Sequence, residues 1–141
     1  KINHNINDIH RISNKHFSMN IPKTINLLAR GKKGKKQKEK YSNYFKQRKE
    51  TDSLINWEAM TSLQVYNFVR ALSKPFPNAY TFYRKTKLSI QKARQSKIKL
   101  DLEVGEFLKK NNRIFVKCKK GYLEILKLKG TLPNSGNFKK S

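Results

Sequence analysis

Histidine, carboxylate and cysteine side chains are the groups in this sequence whose chemistry could be catalytic or metal-binding. His4, His10 and His16 recur every six residues, a spacing that on a helix places them on different faces. No acidic or cysteine ligand clusters with them, so the pattern argues against a metal site.

Two carboxylates, Asp52 and Glu58, flank Trp57 and admit two interpretations. They could form a general acid–base pair, but no nucleophile accompanies them. The interpretation as cap or turn carboxylates is therefore favoured. Cys118 is the single cysteine, so no disulfide forms within the chain, and its alternating surroundings predict a packing residue. The sequence predicts no enzymatic activity, cofactor, metal ion or small-molecule substrate.

Net charge is the strongest signal in the sequence. Thirty-three Lys and Arg face nine Asp and Glu over 141 residues, which gives a net charge of +24. Self-repulsion of this size favours a polyanionic partner, and nucleic acid is the one expected. A lysine-rich compositional bias and an anionic lipid surface are the alternatives. No run of 18 apolar residues occurs, so no membrane span is predicted.

The positive charge concentrates in two segments. Residues 30–49 hold ten cations and one acid, and residues 84–99 hold seven cations and no acid. Lysine is a point charge, so contacts to the RNA backbone are expected more than base readout. The predicted RNA-binding residues are Lys32, Lys33, Lys35, Lys36, Lys38, Lys40, Arg48, Arg84, Lys85, Lys87, Lys92, Arg94, Lys97 and Lys99.

Three aromatic residues, Tyr41, Tyr44 and Phe45, interleave with the cations of the first segment. Such side chains can stack on bases. They can also anchor the segment to a folded domain, and the anchor is the favoured interpretation.

The hydrophobic pattern divides the chain into a basic arm or linker (1–49), a folded domain (50–130) and a polar tail (131–141). Within the arm only 24–28 is predicted as a short helix. In the domain, apolar spacing and a capping box at Thr61 and Gln64 predict one helix that ends before Pro75.

After Asn78 the apolar period becomes two, which predicts antiparallel strands. Turns are expected at 84–86, 111–112 and 119–121, and a last strand at 122–128. Alternation at 98–104 predicts a further strand. The fold class is therefore mainly β with one helix, a small open OB-like antiparallel barrel preceded by an extended basic arm.

Residues 45–80 resemble the junction and C-terminal domain of the formyltransferase family, which includes methionyl-tRNA and sugar-nucleotide formyltransferases. Asn56 stands where the family has Asp, and Asn78 where it has Gly; weaker likeness extends to residue 130. The matching residues are Asp52, Ile55, Trp57, Asn67, Val69, Arg70, Ala71, Pro75, Pro77, Ala79 and Tyr80.

This resemblance implies an OB-like barrel that, in tRNA-acting members, contacts the tRNA backbone through basic residues. The family's catalytic Asn, His and Asp belong to an N-terminal domain with no counterpart in this sequence, and 1–44 is a possible remnant of its end. Arg70 could pin a helix terminus or a loop carbonyl, or contact a phosphate.

The resulting hypothesis is a non-catalytic RNA-binding structural protein of a ribosome or similar ribonucleoprotein. Ribosomal RNA is favoured over tRNA as its ligand, with neighbouring ribosomal proteins as further partners. A mitochondrial or other organellar matrix is the favoured location, or the cytoplasm for a bacterial source. The alternative is the substrate- or tRNA-binding part of an active formyltransferase.

Overall fold

The computed structural model describes residues 4–138 of the chain. Two α-helices, α1 (Ile6–Ala29) and α2 (Ser62–Ala71), precede the strands. The strands are β1 (Ala79–Tyr83), β2 (Thr86–Ser96), β3 (Glu106–Lys110), β4 (Arg113–Lys117), β5 (Tyr122–Lys129) and β6 (Ser135–Asn137).

The six strands form one antiparallel sheet in the order β1-β2-β5-β4-β3-β6. The sheet curls into a half-barrel, which confirms the mainly β, open OB-like architecture. The β2–β5 ladder shifts register between Ile90 and Ala93, so a β-bulge interrupts β2 at Lys92.

The predicted turns lie where the sequence placed them. Arg84 and Lys85 join β1 to β2, with Arg84 at φ 51°. Asn111 and Asn112 join β3 to β4 at φ 50° and 59°, the left-handed pair of a two-residue hairpin that asparagine tolerates. Gly121 closes the turn before β5 at φ 81°, and a Cβ there would lie 2.6 Å from the Ser62 hydroxyl oxygen.

The strand predicted at 98–104 is wrong. This segment joins β2 to β3 without pairing in the sheet, although its even-numbered residues are half-buried and its odd-numbered residues up to 103 exposed. The Tyr122 hydroxyl donates to the Leu100 carbonyl and takes the place of a strand partner. Alternating hydrophobicity thus reported side-chain burial correctly, but not backbone pairing.

The first 29 residues hold a second difference. In place of a short helix at 24–28, α1 runs for 24 residues. It begins at a reciprocal capping box, in which Asn5 and Asp8 accept from each other's backbone N–H at 3.0 and 3.1 Å. No residue of α1 is buried, so local capping and helical hydrogen bonds hold it rather than core packing.

Helix α2 has the predicted capping box at Thr61 and Gln64 and packs on β2 and β5. Its buried residues Val65 and Val69 meet a core supplied by the concave face of the sheet. Asp52 accepts from the Lys49 backbone N–H at 2.8 Å, which confirms its interpretation as a turn carboxylate.

An aromatic stack closes the core at the C-terminal end of the sheet. Phe138 stacks on Trp57 at 5.4 Å and on Phe107 at 4.6 Å between ring centroids. The Trp57 indole N–H donates to the Thr81 hydroxyl at 2.9 Å. The polar tail assigned to 131–141 is therefore wrong for the described part, because Leu132 and Phe138 are buried and β6 pairs with β3.

Candidate nucleic-acid interface

All fourteen predicted RNA-binding residues are exposed, and they lie in two separate places. The arm group occupies residues 32–48, and the domain group occupies the β1–β2 hairpin and the segment after β2. Within residues 4–138, no backbone hydrogen bond or ion pair joins the two groups.

The part of the basic arm that follows α1, residues 30–49, is called the arm from here on. It is exposed throughout and contains one short 3-10 turn, Glu39–Tyr41. Tyr41, Tyr44 and Phe45 are 74%, 93% and 90% exposed. The anchor interpretation of these aromatics is wrong, because none is buried against the domain. Their rings are open to a stacking partner.

In the domain group, Arg84 and Lys85 lie at the tip of the β1–β2 hairpin. Lys97 and Lys99 are exposed, while Ile98 between them is half-buried. Cationic side chains in this segment are therefore exposed while the apolar side chain between them is half-buried.

Two of the predicted RNA-binding cations already have anionic partners. Lys87 pairs with Glu50, and its ammonium lies 4.1 Å from the centre of the Tyr80 ring. Arg94 pairs with Glu124, which also binds Arg113, a residue that sequence reasoning missed. These cations support the fold and are less available to an RNA phosphate.

Glu124 is a buried carboxylate held between two arginines on neighbouring strands. From β2, Arg94 donates through Nε at 2.8 Å and Nη2 at 3.2 Å. From β4, Arg113 donates through Nε at 2.7 Å and Nη2 at 2.6 Å. The hydrogen bonds from Arg113 and then Arg94 outweigh the effect of burial and lower the pKa of Glu124 to about 2.

We expect Glu124→Gln to destabilise the domain by about 2–3 kcal/mol at neutral pH, since it removes the charge that compensates two arginines. The ionised carboxylate contributes its full stability above its unfolded pKa and loses it as pH falls through the folded pKa. The difference in the free energy of unfolding between wild type and Glu124→Gln should therefore decrease as the pH falls from 4.5 to 2.

Urea unfolding at a series of pH values measures this difference. Glu39→Gln, in the exposed arm, is the matched control and should change stability by less than about 0.5 kcal/mol. A difference in the free energy of unfolding that stays constant over this pH range would contradict the stabilising role of the ionised Glu124 carboxylate.

Sequence reasoning also missed a groove lined by positive charge between α2 and the paired strands β2 and β5. Five cations line it: Arg70 from the end of α2, Lys74 from the loop after it, and Lys92, Arg94 and Lys127 from the sheet. Lys92 and Lys127 face each other across β2 and β5 at the bulge. Only the register of the two strands reveals this pair.

The histidine, carboxylate and cysteine side chains singled out in the sequence form no metal-ligand cluster in the described residues. Within residues 4–138, no three His, Cys, Asp or Glu side chains gather as metal ligands would. The pKa of the Cys118 thiol is raised to about 12, because the effect of burial is larger than the opposing effect of the nearby Lys117 charge. Over the described residues, no helix is long and apolar enough to cross a membrane.

Comparison with known proteins gives a family and, among the curated proteins that match, a relative of known name. The profile of the formyl transferase C-terminal domain matches residues 47–133. The bifunctional polymyxin resistance protein ArnA of Wigglesworthia glossinidia brevipalpis is 36% identical over 87 residues, 61% of this chain. The match covers 13% of ArnA's own length.

The family match over residues 47–133 includes Trp57, α2 and strands β1 to β5. It therefore covers most of the core and the α2 and sheet walls of the groove described above. The resemblance noticed in residues 45–80 is confirmed. The chain belongs to the formyl transferase C-terminal domain family.

Proposed function

We propose that this protein is a non-catalytic RNA-binding component of a ribosome or similar ribonucleoprotein. Its barrel and arm would hold the phosphate backbone of RNA, with ribosomal RNA favoured over tRNA. An organellar ribosome, that of the mitochondrion in particular, is the assembly that we favour, and a bacterial source would place the protein in the cytoplasm.

The availability of the cations carries this proposal. Twelve of the fourteen predicted RNA-binding residues are exposed and form no ion pair with a carboxylate among residues 4–138. With a net charge of +24, the folded chain presents ammonium groups that only an external anion can neutralise.

The exposed aromatics of the arm support RNA over a simple anionic surface. Rings such as Tyr44, exposed among lysines, can stack on unpaired bases while the cations hold the phosphates. This arrangement serves binding without base recognition, as a structural RNA protein requires.

We expect the purified protein to bind single-stranded RNA with an affinity that falls steeply with salt. Contacts to six to ten phosphates predict a slope of log K against log salt of about −4 to −7. Affinity should then fall about 10²- to 10⁴-fold between 50 and 200 mM salt. Filter binding with two oligoribonucleotides of unrelated sequence measures the slope and the expected indifference to sequence.

Two further measurements separate the alternatives. Absence of RNA binding at 50 mM salt would contradict the proposal, and sedimentation with anionic vesicles that survives RNA competition would favour a lipid surface. Sequencing the RNA that co-purifies with the protein distinguishes ribosomal RNA from tRNA.

The similarity to ArnA favours a second candidate, the C-terminal portion of an active formyltransferase. In that case the chain would be covalently joined to a catalytic domain carrying the family's Asn, His and Asp. The mass of the protein isolated from its source, compared with the 16.6 kDa of this chain, decides between the two.

A further inference from the structure

The groove between α2 and the paired strands β2 and β5 combines concave shape with unbalanced charge. It has a volume of about 850 Å³, and the first turn of α1 contributes Asn5 and Asn7 to its wall. No acidic residue is among the residues lining it. A concave surface of one sign concentrates counter-ions, here anions.

The guanidinium of Arg70 has an N–H donor in this groove that is unused within the described residues. This guanidinium lies over the Tyr66 ring, with Cζ 4.8 Å from the ring centre, and Nη1 reaches the Tyr66 hydroxyl at 3.5 Å. Its Nε–H is buried and has no hydrogen-bond partner within the described residues. A buried donor without a partner is costly, so this N–H is available to an acceptor that residues 4–138 do not supply.

Contact with the Tyr66 ring and hydroxyl also restrains the Arg70 guanidinium. A planar fork held by an aromatic ring presents paired N–H groups to the oxygens of a phosphate. Arg94 lines the same groove, but its guanidinium is already committed to Glu124.

Lys92 and Lys127 bring positive charge to the groove from the sheet side. They are cross-strand partners at the β2 bulge, and both are exposed. Like charges placed opposite each other in a ladder are destabilising unless an anion lies between them. Bulges of this kind also occur often beside binding sites.

We propose that this groove binds a phosphate group of the RNA backbone. Arg70 donates to two of its oxygens, and Lys92 and Lys127 neutralise its charge from the sheet side. The assignment deepens the function proposed above and rests on it, since it names the surface of the domain that receives the backbone after the arm has attracted it.

Two variants test the assignment by affinity for a single-stranded oligoribonucleotide at 100 mM salt. Lys92→Gln with Lys127→Gln should weaken binding about 10- to 30-fold and make the salt slope shallower by about 1.4, the share of two phosphate contacts. Arg70→Lys should lose affinity about 5- to 10-fold while keeping its charge, because lysine lacks the planar fork. Lys110→Gln, at the β3–β4 hairpin, is the matched control and should bind as wild type.

The NMR resonance of the Arg70 Nε–H provides a readout independent of affinity. A shift on adding the oligoribonucleotide supports the groove as the RNA phosphate site. A shift with inorganic phosphate alone, and none with RNA, would replace RNA by a free phosphate as the ligand and overturn the assignment to RNA.

Failure of the groove and failure of the proposed function give different results. If wild type binds RNA, both groove variants bind equally well and the Arg70 resonance does not move, the groove assignment is wrong and RNA binding stands. If wild type binds no RNA and the resonance is unmoved by phosphate, both are wrong.

Discussion

Replacing six of the eight lysines in the arm with glutamine is expected to weaken RNA binding about 10³-fold at 100 mM salt. Each lost phosphate contact removes about 0.7 from the salt slope, so six should make it shallower by about 4. None of the six ammonium groups has a carboxylate partner among residues 4–138, so the substitution leaves no internal charge uncompensated. The residues replaced are Lys32, Lys33, Lys35, Lys36, Lys38 and Lys40.

The matched control is a chain in which residues 30–49 are shuffled with their composition unchanged. If the arm acts through charge and not through a fixed structure, the shuffled arm should bind RNA within about threefold of wild type. Thermal unfolding of both variants should match wild type because the arm is exposed throughout. An affinity of the glutamine variant within a fewfold of wild type would show that the arm does not bind RNA.

Phe138→Ala is expected to destabilise the domain by about 3–5 kcal/mol. The ring is buried and stacks on both Trp57 and Phe107, so its removal leaves a cavity lined by aromatic carbon that the curled sheet cannot close. Because Trp57 is the single tryptophan, its fluorescence follows urea unfolding directly.

Phe45→Ala deletes the same side chain from a site that is 90% exposed and should change stability by less than about 0.5 kcal/mol. Phe138→Leu refills part of the cavity and should recover a portion of the loss. A loss below about 1 kcal/mol for Phe138→Ala would mean that the stack does not close the core.

Features written in adjacent residues could be predicted from the sequence. The Thr61–Gln64 capping box fixed the start of α2, and the Asn111–Asn112 pair fixed the hairpin between β3 and β4. The turn at Gly121 was equally local. Each depends on backbone geometry that a few side chains determine by themselves.

Features that join distant residues could not be predicted in the same way. The hydrogen bonds to Glu124 join three strands, because Arg94 lies 30 residues and Arg113 lies 11 residues away from Glu124 along the chain. The groove depends on a bulge that sets Lys92 against Lys127. At 98–104 the sequence showed the alternation of apolar side chains, but not that this segment lacks a strand to pair with. Phe138 lies in a segment of polar composition, and its burial accompanies the pairing of β6 with β3.

With the arm and the groove both binding RNA phosphates as proposed, the arm is also the tether between two phosphate-binding surfaces. Its twenty residues reach at most roughly 70 Å when extended, and they make no hydrogen bond to the sheet within residues 4–138. Once either surface holds RNA, the other meets the same molecule at an effective concentration in the millimolar range. Two contacts that are individually weak then act with avidity, and either can release and rebind while its companion keeps the protein in place.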